Sequence, residues 1–102
     1  MANDKKGRRK TPTIPPAALD HLWRAIDSLG DPDLAVERAG RYCYVRHGGS
    51  PLCRLGYRGE LETWDFAIYK YSTQSYSTQE MFPGRGTVVD LVERALNAYN
   101  LR

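Results

Sequence analysis

Arginine and tyrosine recur through the middle of this sequence at spacings that an extended strand turns into a single surface. Between Glu37 and Glu60 there is no acidic residue, while Arg38, Arg41, Arg46, Arg54 and Arg58 all fall in that interval. Successive side chains of a strand point to opposite faces. Alternation therefore puts Tyr42, Tyr44, Arg46, Arg54, Arg58, Tyr69 and Tyr71 on one face, with Asp65 as its lone, solvated carboxylate. The other face receives Cys43, Val45, Cys53, Leu55, Tyr57, Trp64, Phe66 and Ile68, an apolar set suited to a core.

A tyrosine ring offers a stacking plane for an unpaired base, and a guanidinium offers a cation for phosphate together with a flat fork of donors. The leading expectation is a small non-enzymatic binding module whose Tyr/Arg face contacts single-stranded nucleic acid. A second reading is a protein-protein interaction module or homodimer using the same face, because Tyr and Arg combine contact area with polar anchoring. Cross-strand Tyr–Tyr and Tyr–Arg pairs also stabilise an exposed sheet by ~0.2–1 kcal/mol each without binding anything.

Signatures of catalysis are lacking. The sequence holds no Gly-x-Ser-x-Gly and no His-Glu-x-x-His. Cys43, His47 and Cys53 could converge on one face of a hairpin, but a closed zinc site takes four ligands, and the remaining histidine, His21, falls on a predicted helix. No metal and no cofactor are expected. Phe82-Pro83-Gly84-Arg85-Gly86-Thr87 sets glycines and an arginine before a helix start without the Lys-Ser/Thr ending of a phosphate-binding loop.

The elements that carry these residues follow from periodicity. Pro15 and Pro16 suit a helix entrance, and Leu19, Leu22, Trp23, Ile26 and Leu29 recur at helical spacing until Gly30, predicting a helix over 16–29. From Leu34 to Tyr71 the period shortens to two, with glycine-bearing turns between the runs. This predicts an antiparallel meander of three strands, with residues 34–38 as a fourth at the edge. Tyr-Ser-Thr-Gln occurs twice, at 71–74 and 76–79. Its side chains can bond their own backbone, which predicts a loop, with Tyr76 folding back beside Tyr69 to extend the Tyr/Arg face. Thr87 then caps a second helix whose apolar side is Val88, Leu91, Val92, Ala95, Leu96 and Tyr99. The expected fold is α+β, a two-layer sandwich in which both helices cover one face of a three- or four-stranded antiparallel sheet.

Lys5, Lys6, Arg8, Arg9 and Lys10 against Asp4 give residues 1–10 a charge of +4, so the remainder, at −1, is not basic although the chain totals +3. Residues 1–13 are expected to be a disordered basic tail able to contact phosphates in a salt-dependent way, and residues 14–102 a single domain. Within the tail, Lys6-Gly7-Arg8-Arg9 loosely resembles the Arg-Gly-Arg-Pro core of an AT-hook and departs from it at two positions. There is no apolar run of membrane-spanning length and no hydrophobic segment after the basic start, so the reading is a cytoplasmic protein with no membrane partner.

Overall fold

The computed structural model describes residues 13–78 and 84–101. The tail cations Lys5, Lys6, Arg8, Arg9 and Lys10 lie outside the described residues. Helix α1 spans Pro16–Ser28 and helix α2 spans Val88–Ala98. Between them run β1 (Leu34–Ala39), β2 (Tyr42–His47), β3 (Ser50–Tyr57), β4 (Trp64–Lys70), β5 (Ser75–Ser77) and β6 (Arg85–Gly86).

Both helix starts follow from local chemistry. Pro16 opens α1, where the first-turn N–H groups have no intrahelical acceptor and a proline forfeits nothing. The Pro15 carbonyl then accepts from Ala18 and Leu19. Thr87 caps α2 as expected, its Oγ1 accepting from the Asp90 N–H at 3.2 Å. Gly30, at φ +68°, takes the left-handed conformation that ends the first helix.

The strands form one antiparallel sheet in the order β1-β2-β3-β4-β5, with β6 paired to β4 alongside β5. Two tight hairpins set its register. Gly40 (φ +65°) begins a two-residue turn between Ala39 and Tyr42, and Gly48 and Gly49 (φ +59° and +86°) form the turn between His47 and Ser50. These are the left-handed positions that two-residue hairpins require. The β2–β3 register shifts between Val45 and Arg46, which leaves Leu52 as an extra residue on β3. Leu52 and Cys53 are consequently both buried, where strict alternation would place only one of them inside.

The α+β class is as expected; the strand count is not. Six strands replace the three or four predicted, because the edge segment beginning at Leu34 is a full strand and because β5 and β6 are too short to show a period. The second Tyr-Ser-Thr-Gln copy is likewise not simply loop: Tyr76 lies in β5, with Tyr69 as its cross-strand partner.

One apolar core unites the sheet with both helices. Ala18, Leu22 and Ile26 of α1 and Leu91, Val92, Ala95 and Leu96 of α2 meet Cys43, Val45, Leu55, Trp64, Phe66 and Ile68. The two helices contact each other, and α2 contacts β3, β4 and β6. Trp64 is fully buried, and its indole N–H is satisfied by the Leu61 carbonyl at 2.9 Å.

Candidate functional site

On the sheet face opposite the core strands, cross-strand pairing assembles the aromatic and cationic residues into rows. Tyr44 stands opposite Arg54, and Arg54 opposite Ala67. Tyr42 stands opposite Gly56, Gly56 opposite Asp65, and Asp65 opposite Arg85. Opposed residues share a face, so Arg85, which the sequence placed only at a helix approach, joins this surface.

Arg54 occupies the centre. Its guanidinium lies 4.5 Å from the centroid of the Tyr42 ring and 5.5 Å from that of Tyr76. Both are cation–π distances, worth about 0.5–1 kcal/mol at partly exposed sites. No carboxylate pairs with Arg54 among the described residues. The tyrosines form a connected series: Tyr42–Tyr44 at 6.3 Å between centroids, Tyr44–Tyr76 at 5.3 Å, Tyr76–Tyr69 at 5.0 Å and Tyr69–Tyr71 at 4.8 Å. All but the first are edge-on, the arrangement that aromatic quadrupoles favour. Burial raises the Tyr76 hydroxyl above its ordinary value, and the nearby Arg46 cation partly offsets that rise.

Asp65 is not the lone solvated carboxylate expected from sequence. Its Oδ2 accepts from Arg41 Nη2 at 2.9 Å and its Oδ1 from Arg58 Nη1 at 3.0 Å. Arg41 also donates from Nη1 to the Tyr42 hydroxyl at 2.7 Å and from Nε to the Tyr57 carbonyl at 3.3 Å. Arg41 thus ties the β1–β2 turn across β3 to β4, a role its position in a turn gave no hint of. Gly56 makes this crossing possible: a Cβ there would stand 3.1 Å from Tyr42 Cε1 and 3.2 Å from Asp65 Cβ. Tyr42, Arg54, Gly56, Asp65 and Ala67 line a cleft of about 230 Å³.

Among the described residues the face is electropositive. Arg41, Arg46, Arg54, Arg58 and Arg85 outnumber Glu37 and Asp65, and Arg46 reaches Glu37 only at 3.9 Å. Tyr42, Tyr44, Arg46, Arg54 and Tyr69 lie in strands and share this surface, whereas Arg58 follows the end of β3 and reaches it through its bond to Asp65. Tyr71 lies at its margin, on the turn after β4, where its hydroxyl donates to the Pro51 carbonyl and its ring also contacts Tyr99.

The conjectured Cys43, His47 and Cys53 cluster does not assemble. Both thiols are free and buried in the core, and His47 instead meets Asp31, with Nε2 and Oδ2 2.9 Å apart. Burial pushes the Cys43 thiol up to about 11, with Arg38 partly opposing, and pushes Cys53 higher still. Such thiols are poor nucleophiles and poor metal ligands. Asp31, Asp33 and His47 do offer three ligand atoms within 4.8 Å of one another. The Asp31 carboxylate is already engaged there, by His47 and by the Asp33 N–H at 3.0 Å, as a clamp between the 31–33 turn and the β2–β3 hairpin.

No protein-family model, no curated protein and no solved structure matches this chain. Among the described residues no helix is long and apolar enough to cross a membrane.

Proposed function

We propose that the chain is a non-enzymatic binding module whose Tyr/Arg sheet face takes single-stranded nucleic acid. In this reading both helices lie in a second layer on the core side and leave the Tyr/Arg face open. Arg54 carries the proposal: a central guanidinium, held over two tyrosine rings and without a carboxylate among the described residues, is poised for an external anion. Arg46 and Arg85 flank it as further phosphate contacts, and Tyr71, 48% exposed, offers a ring at the margin for a base to stack on. The tail cations Lys5, Lys6, Arg8, Arg9 and Lys10 add a sequence-independent attraction in the same reading.

The test is a salt titration of the full chain against labelled single-stranded oligonucleotides. Arg54→Ala and Arg46→Ala are each expected to weaken binding and to lower the salt slope by about 0.7, the loss of one phosphate contact on a single strand. A variant with the five tail cations changed to glutamine separates the tail from the face. Binding that disappears with the tail and ignores Arg54→Ala would overturn the sheet-face assignment.

The edge-on packing of Tyr44, Tyr69 and Tyr76 favours a second reading, because rings already engaged with one another present a firm amphipathic surface rather than open stacking planes. A protein partner with an acidic patch fits that surface. It is supported if the face variants leave oligonucleotide binding unchanged and abolish capture of an acidic polypeptide such as polyglutamate.

A further inference from the structure

Among the described residues no strand pairs with the outer edge of β1. The Gly48 N–H donates to the Asp33 carbonyl at 2.9 Å, and this bond fixes the phase of the β1–β2 ladder. In an antiparallel pair, alternate residues bond across the pair and the others point away. Ala35, Glu37 and Ala39 therefore bond to β2, while the backbone groups of Leu34, Val36 and Arg38 face outward. The Leu34 N–H is taken by the Asp31 carbonyl at 3.2 Å. The N–H and C=O groups of Val36 and Arg38, and the Leu34 C=O, have no partner among the described residues. The edge carries no proline and no bulge, two of the devices by which exposed edges are blocked. At the opposite side of the sheet, β5 and β6 cover β4.

We propose that β1 pairs antiparallel with β1 of a second copy of this chain, joining two six-stranded sheets edge to edge. Charge selects the register. Pairing Val36 with Arg38 of the second copy would set Glu37 opposite Glu37, and centring on Arg38 would set two arginines opposite each other, both unfavourable. Centring on Val36 avoids both. Val36 then exchanges two hydrogen bonds with its counterpart, and each Arg38 N–H reaches the Leu34 carbonyl of the other copy, so that the one outward N–H already engaged by Asp31 is not needed.

The side chains fit that register. Leu34 and Val36 pack against the core, so the apolar layer continues across the seam, and the aliphatic stem of Arg38 covers Leu34 of the second copy. On the other face, Glu37 of the second copy falls opposite Ala35, which is itself the cross-strand partner of Arg46. Arg46 and that Glu37 are then two strand spacings apart, about 10 Å between backbones, with only a methyl group between them. Two long side chains close that span, giving a pair of symmetric ion pairs over the seam. The two-fold axis runs through the sheet, so both Tyr/Arg faces lie side by side.

Sedimentation equilibrium of the full chain without nucleic acid tests the pairing independently of the binding reading. The expected result is a mass of two chains that dissociates on dilution. Glu37→Arg and Arg46→Glu should each shift the equilibrium to monomer, and the double exchange Glu37→Arg/Arg46→Glu should restore the dimer, with circular dichroism confirming that all are folded. In amide exchange, Val36 and Arg38 should gain protection with concentration while Ala35 and Glu37 are protected throughout. A monomer at every concentration overturns the proposal, as does a dimer indifferent to the charge reversals or one in which the Val36 and Arg38 amides stay unprotected.

Discussion

Tyr42 and Gly56 face each other across β2 and β3, and the Tyr42 ring edge sits where a side chain at position 56 would stand, 3.1 Å from its Cβ. A glycine inside a strand forfeits packing and costs conformational entropy. Here it lets the ring lie down on the sheet, where Arg41 and Arg54 approach it to 4.7 Å and 4.5 Å. Gly56→Val should lift the ring, part the Arg41–Asp65 bridge and cost about 1–3 kcal/mol, the usual range for overpacking. Urea unfolding measures the loss, and unchanged stability would mean that the ring is not seated as described.

The Asp65 network separates a half-buried partner from an exposed one. Arg41 is the less exposed of its two arginines, and it donates to three different acceptors. Asp65→Ala leaves that guanidinium without its counterion and should destabilise the fold by ~1–3 kcal/mol. Arg58→Ala removes only a surface pair and should cost ~1 kcal/mol or less. Equal effects from the two substitutions, read from denaturant midpoints, would contradict this ordering.

Which residues share the Tyr/Arg face was legible in the sequence because it depends only on the two-residue period, which Tyr42, Tyr44, Arg46, Arg54 and Tyr69 all obey. Arg41 was not legible as a member, since it sits in a turn, where alternation assigns no face. Arg85 reaches the sheet on a strand of two residues, and Tyr76, whose place beside Tyr69 was expected, does so on a strand of three, both shorter than any period can reveal. Leu52 breaks alternation at a bulge, a feature set by pairing with β2 rather than by residue type. Asp65 looked solitary because its partners, Arg41 and Arg58, are 24 and 7 residues away in sequence.

The His47–Asp31 contact fastens the turn after α1 to the β2–β3 hairpin, and both side chains are half-buried. A double-mutant cycle with His47→Ala and Asp31→Ala should return a coupling of about 0.5–1.5 kcal/mol, the net worth of a typical hydrogen bond. Because the clamp also steadies the start of β1, amide exchange at Ala35 should quicken in His47→Ala. A coupling indistinguishable from zero would mean that the contact forms without holding the turn in place.

The buried thiols set an alkaline limit on stability. Cys43 is pushed up to about 11 and Cys53 further by burial, whereas both ionise near 9.0 once the chain unfolds. Above that pH the unfolded chain releases protons that the folded chain retains, so the unfolded state is favoured increasingly as pH rises. Below it these thiols contribute no pH dependence. Stability should therefore hold level up to about pH 9 as far as they are concerned and then fall, by at most ~1.4 kcal/mol per pH unit for each thiol. Burial raises the Tyr76 and Tyr99 hydroxyls as well, and they add to the fall above their ordinary value of 10.0. Replacing both cysteines by alanine should flatten the early part of the decline while leaving the tyrosine part intact. In thiol labelling of the unmodified chain, both cysteines should react only as fast as the protein unfolds, and rapid labelling of either one at neutral pH would show that its burial is not maintained.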